Sequence, residues 1–348
     1  MSDIKSSLSN RLLLIPKLDT LNDSHKDILK MIMNKHGEDD IVSMKMIDEN
    51  DSYDSFLVET ENASFTIKIS FDKEVIFYEF LILRGIHHLQ ISPIAIDRNE
   101  IEFGTTIYYT IQSYEHSNNL LESGLSSITS EEFSDLHEAL SILHSFEVPE
   151  EVHSYLDDSN SFFDFNKNSF ENILQYVDPN EVEIYEFISS FYSSVHSEMI
   201  SILNNNKNLE SKKLVHGNLR ASTIIENSLM FKFINFENCF LGNPLFDVCN
   251  LVFELNMTGI NEFNFVSQKT KDLNAYKICK QIWIRKKMLD VLNNYVKEVI
   301  ILNCKRSTKL YKLIHEFSSN FEKFKSIPFV SNNEAQIKNA LINTLSVV

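Results

Sequence analysis

Between residues 214 and 247 the chain carries a close set of side chains that could do chemistry: His216, Asn218, Arg220 and Thr223, then Asn235 and Glu237. The carboxamide of Asn218 can hydrogen-bond a hydroxyl group, but it is a very poor proton acceptor near neutral pH. Glu237 offers a carboxylate to a cation and Thr223 a weak hydroxyl ligand, whereas hard divalent ions draw mainly on carboxylates and phosphates. Arg220 could pair with a phosphate, with Glu237, or with another acidic neighbour at the surface.

These residues need elements to hold them. Ile224-Ile225 and the Phe231 to Phe236 run, separated by Glu226-Asn227-Ser228, suit two short strands joined by a turn. Such a ribbon presents the 216–223 loop and the start of the 235–237 loop at one end. Upstream, residues 56–60 and 64–69 read as a hairpin that places Phe65, Ile67 and Ile69 on one face and Lys68 on the other. A helix over 73–84 and strands over 91–96 and 105–112 come next, closing a small mixed β-sheet lobe near Tyr114. Before it, 25–34 reads as a helix with Ile28, Leu29, Ile32 and Met33 along one side, and 41–47 as a strand.

His216-Gly217, Phe236-Glu237 and Gly242, Pro244 and Asp247 resemble the catalytic segment of the aminoglycoside phosphotransferase and choline kinase superfamily. That segment runs H-G-D-x-x-x-x-N, then D-F/W-E, then G-x-P-x-x-D. The resemblance implies an α+β, two-lobed protein-kinase-like fold with a nucleotide lobe over 1–114 and a helical lobe over 115–348. It implies ATP or GTP with magnesium or manganese as cofactors, and a small-molecule hydroxyl as acceptor. It assigns Lys68 to the phosphates, with a carboxylate partner at Glu74 or Glu79, Glu74 being preferred on its spacing to Leu81. His216 would brace the loop, and Ser113-Tyr114-Glu115 would be the hinge, where backbone groups could meet an adenine edge. Three positions depart from the pattern: Asn218 replaces the general base, while Thr223 and Asn235 replace two metal ligands. Phosphoryl transfer depends on positioning and on charge neutralisation by the metal, and a positioned base contributes roughly 10²–10⁴-fold. The phosphate-cradling loop is also poorly represented. No G-x-G-x-x-G occurs, and the candidate is Asn50 to Ser55 around Ser52, whose Asp51 and Asp54 oppose a triphosphate.

Beyond Tyr114 the chain reads as mainly helical. Phe133, Leu136, Leu140 and Leu143 mark one helix that ends at His144, read as a packing residue. Helices are expected over 181–203, 246–255, most of 270–319 and 333–345, with a loop at 261–269. Phe162, Phe163 and Phe165 read as docking residues, and Lys280, Arg285, Lys286 and Lys287 as a solvated face.

With 348 residues, 43% hydrophobic and 23% charged, the chain is expected to fold. A formal charge of −17 argues against binding duplex nucleic acid. The four cysteines show no CxxC spacing and read as buried thiols. MSDIKSSLSNR lacks the apolar stretch of a secretory leader, and no run reaches the roughly 18 apolar residues of a membrane span. A cytoplasmic protein is expected. The altered loop points to a pseudokinase-like protein that binds a small molecule or a protein partner without efficient phosphoryl transfer. The alternatives are an active but divergent phosphotransferase, and an interaction protein with an occluded nucleotide cleft.

Overall fold

The computed structural model describes residues 23–38, 40–49, 53–115, 130–164, 182–227, 230–296 and 308–337. The chain divides into two compact units: Met1–Gly124 with Ser222–Glu237, and Leu125–Ala221 with Asn238–Val348. The 222–237 segment, expected from the sequence to belong to the helical part, therefore groups with the first unit.

The first unit is built on five strands: β1 (Ile41–Glu49), β2 (Asp54–Thr60), β3 (Ser64–Ser70), β4 (Ala95–Glu102) and β5 (Thr106–Ser113). Their order is β1-β2-β3-β5-β4, and every pairing is antiparallel. Period-two alternation sends Phe56, Val58, Phe65, Ile67, Ile69, Tyr109 and Ile111 to one face. There they pack with Ile28, Leu29, Ile32 and Met33 of helix α1 (Asp23–His36). Lys68 and Thr110, paired across β3 and β5, occupy the opposite face. Helix α2 (Lys73–Ile86) comes after β3, with Asp72 accepting from the Glu74 N–H as its N-cap. The strand expected at 91–96 lies later, at 95–102, since 90–92 form bends and Pro93 and Ile94 are irregular. A hairpin of Ile224–Asn227 and Met230–Phe233 completes this unit.

The second unit is mainly helical: α3 (Ser130–Ser145), α4 (Val182–Asn204), α5 (Leu245–Glu254), α6 (Gly259–Lys269), α7 (Leu273–Val296) and α8 (Thr308–Phe324). A small sheet joins β6 (Asp157–Asp158), β7 (Lys213–Val215) and β8 (Phe240–Gly242) in the order β6-β8-β7. Phe163 is buried against Phe240, Phe246 and Trp283, and Phe162 stacks on Phe240 at 3.9 Å, so both are docking residues; Phe165 lies outside the described residues. The segment expected as a loop at 261–269 is helical. Its two adjacent buried residues, Phe265 and Val266, gave no helical period, and tertiary contacts such as Phe265 on Phe133 and His137 decide the matter. Of the 333–345 segment, Glu334–Ile337 is helical and the remainder from 338 lies outside the described residues. Among the described residues, no helix is long and apolar enough to cross a membrane. Cys239, Cys249 and Cys279 are buried thiols.

Candidate functional site

In the first unit the chemistry gathers around one ammonium. Lys68 is 1% exposed, and its Nζ donates to both carboxylate oxygens of Glu79, at 2.9 and 2.7 Å. Glu74, the partner preferred on sequence spacing, is exposed in the first turn of α2 and does not take that place. The two glutamates are five positions apart, about 140° around a helix. Glu79 thus shares the inward side with Ile76 and Leu83, at three- and four-residue spacing, and Glu74 does not. Glu79 Oε1 also accepts the backbone N–H of Phe236 at 3.0 Å, which fastens the end of the hairpin to α2.

Two residues of the 234–237 segment complete the shell. Lys68 Nζ donates to Asn235 Oδ1 at 3.2 Å, and Glu237 Oε2 lies 3.7 Å away. Asn235 is held at φ 64°, a left-handed conformation that asparagine tolerates better than most residues. The preceding residue, Ile234, donates its N–H to Thr223 O, and Phe233 donates to Ile91 O. Tyr53, which sequence reasoning missed, lays its ring 4.5 Å from Lys68 Nζ and is itself buried. Its only signal was its place within the expected phosphate loop. Burial alone would lower the Lys68 pKa, but the Glu79 and Glu237 carboxylates outweigh it and raise the value above that of an ordinary lysine.

The residues at the positions that the resemblance assigns to magnesium do not fit that ion. Asn235 turns its carbonyl oxygen to an ammonium, which would repel a divalent cation at the same oxygen. Thr223 is buried, and Glu237 is the one carboxylate of the three. A hard dication seeks more anionic oxygen than this set supplies. Among the described residues no group of three His, Cys, Asp or Glu side chains is arranged to hold a metal.

The segment that the resemblance assigns to the hinge has partners within this unit. Ser113 donates its N–H to Ile94 O and Tyr114 donates to Ser64 O, while Glu115 pairs with Lys232 at 2.7 Å. Ser52 lies outside the described residues.

In the second unit β7 delivers the chain to His216, and one buried carboxylate fixes the loop beyond it. Asp247, in the first turn of α5, accepts from the His216 N–H at 2.9 Å and from the Gly217 N–H at 3.0 Å. His144 Nε2, from the end of α3, lies 2.9 Å from the same Asp247 Oδ2. The sequence suggested packing alone at His144, because its partner is 103 residues away. Burial lowers the His144 pKa, against the opposing pull of Asp247.

His216 is fully buried, with its Nδ1 3.4 Å from the Asn218 N–H, an arrangement suited to bracing the loop. Gly217 has φ 75°, and a Cβ there would stand 2.2 Å from Asn238 O, so no other residue fits without movement. Asn218 is half-buried and Arg220 exposed. The basic cluster of α7 is fully engaged: Lys280 with Glu262, Arg285 with Glu198, Lys286 with Asp290 and Lys287 with Glu254.

No family model and no curated protein matches the sequence. Solved structures do. Spectinomycin phosphotransferase APH(9)-Ia, in complex with ADP and spectinomycin, is 15% identical with a TM-score of 0.60, covering 86% of this chain and 94% of that one. The GDP and kanamycin complex of APH(2")-IIia is 13% identical with a TM-score of 0.61, covering 85% and 99%. An apo thermostable mutant of aminoglycoside phosphotransferase APH(4)-Ia is 11% identical with a TM-score of 0.58, covering 79% and 92%. The chain has the aminoglycoside phosphotransferase fold. It is two-lobed and kinase-like, as the His216-Gly217 and Phe236-Glu237 resemblance implied. At such identities the fold is what is shared, and what this phosphotransferase fold does here depends on its own residues.

Proposed function

We propose that this protein is a pseudokinase-like member of the phosphotransferase fold, which binds a ligand or a protein partner without efficient phosphoryl transfer. The observation that carries the reading is the 3.2 Å hydrogen bond from Lys68 Nζ to Asn235 Oδ1. An amide oxygen turned to an ammonium stands where the resemblance expects an anionic holder of magnesium. Asn218 supports the same reading, since a carboxamide cannot take the proton of an acceptor hydroxyl. The first unit still holds a buried lysine–carboxylate pair, which supports the reading of a retained binding role.

A second reading is favoured by Tyr53. Its ring lies over Lys68 and both residues are buried, which supports an interaction protein whose nucleotide site is occluded.

Purified protein incubated with ATP and magnesium is expected to consume no more ATP than Lys68→Ala. Magnesium-dependent consumption that Lys68→Ala abolishes would establish a divergent active phosphotransferase instead.

A further inference from the structure

The small sheet of the second unit has two ends. One leads through Val215 to the His216 loop. The other, where Lys213 stands opposite Gly242, borders a cavity of about 710 Å³. That volume falls in the range of small-ligand sites, roughly 300–1,000 Å³. Leu203, Leu209 and Leu241 line it with buried, apolar side chains. Its walls are fastened on both sides. After α4 ends, Asn206 donates its N–H to Leu203 O and its Nδ2 to Ile202 O, which sets the turn over Lys207–Leu209. Across the cavity, Ser159 Oγ donates to Leu241 O, and Asp158 Oδ1 accepts the Ser161 N–H.

What the walls lack is neutralisation. The cations of α7 are each held by a carboxylate. Lys207, Glu210 and Lys212 line the cavity and are close in sequence, yet they form no ion pair among the described residues. Asp158 adds a second carboxylate. Two ammonium groups and two carboxylates cancel in sum, so the cavity favours neither a plain anion nor a plain cation. Both signs left available around one space match a ligand that carries both. The C-terminal end of α4 borders the cavity at Asn204, and its last turn has no basic residue to offset the partial negative charge there. Asn160 and Asn204 bring primary amides, which donate and accept at once, as a peptide bond requires. The leucines suit an apolar side chain.

We infer that this cavity is a docking site for a peptide segment of a partner protein, one with an apolar residue flanked by charges of both signs. The inference rests on the binding reading above and names the kind of partner.

The test uses the full chain and end-blocked peptides of the form Gly-X-Leu-X-Gly, with X drawn from acidic, basic and serine residues. Calorimetric titration is expected to give dissociation constants below about 1 mM for peptides of mixed sign, and binding at least tenfold weaker for single-sign and serine peptides. Lys207 and Lys212 are exposed, so Lys207→Glu combined with Lys212→Glu is expected to keep the wild-type unfolding temperature. The double variant should shift the preference to peptides with two basic residues. No binding by any peptide, equal binding by all charge classes, or a preference that the double variant leaves in place overturns the proposal. So does tighter binding of maltotriose, which would make the cavity a sugar site. None of these readouts measures ATP consumption, so the proposal can fail while the reading of weak phosphoryl transfer stands, and the reverse.

Discussion

Asp247 Oδ2 accepts the backbone N–H of His216 and lies 2.9 Å from His144 Nε2, while Oδ1 takes the N–H of Gly217. One carboxylate therefore sets the geometry of the loop. Asp247→Asn keeps the shape but turns an NH₂ group toward donors. A loss on the order of 3 kcal/mol is expected in urea unfolding, with faster hydrogen exchange at the 216 and 217 amides. Unchanged exchange at those two amides would show that the loop holds itself.

Gly217→Ala tests the same loop from the backbone side. Its Cβ would enter the space of Asn238 O, in a conformation that disfavours side chains. Destabilisation on the order of 2–4 kcal/mol is expected. An alanine variant of wild-type stability would mean that this close approach relaxes freely.

The Lys68–Glu79 pair is buried on both sides. Removing one partner from such a pair costs about 3–5 kcal/mol, because the other charge is left uncompensated. Lys68→Met should therefore destabilise strongly, while adding Glu79→Leu should restore much of the loss. If the double variant is no more stable than the single one, the lost energy lies in packing and not in charge.

Asn235→Asp supplies the missing carboxylate beside Glu237, and aspartate tolerates the left-handed backbone nearly as well. The variant is expected to bind manganese, seen by paramagnetic resonance or as a rise in unfolding temperature, where the wild type does not. Equal manganese binding by both proteins would remove Asn235 from the account of the site.

His137 lies in α3 with the Phe265 ring tilted against its own at 4.3 Å and the Lys269 charge nearby. Burial, with help from Lys269, lowers its pKa from 6.5 to about 4. Between those values the unfolded chain binds a proton that the folded chain refuses, so stability is lost as pH falls through that window and is fully present above it. His137→Phe should flatten the fall of the urea midpoint from pH 6.5 to 4. Equal slopes would place the acid sensitivity elsewhere.

Patterning makes much of this fold legible in the sequence alone. The alternation of Phe65, Ile67 and Ile69 places Lys68 on the opposite face, and the spacing of Ile28, Leu29, Ile32 and Met33 draws the inner side of α1. The features that escaped depend on contacts distant in sequence. Helix phase at α2 selects Glu79 over Glu74 only once the direction of the core is known. The partner of His144 is supplied by another helix, and α6 owes its form to what packs on Phe265. The ring of Tyr53 over Lys68 comes from how the chain enters β2, a matter of loop path that composition does not record.

The positive φ at Asn235 also limits which residues can succeed it. Glycine, asparagine and aspartate are at ease there, and the asparagine and aspartate codons differ by a single base. A lineage carrying this backbone thus stands one mutation from an acid at that position, with no refolding of the hairpin that bears it.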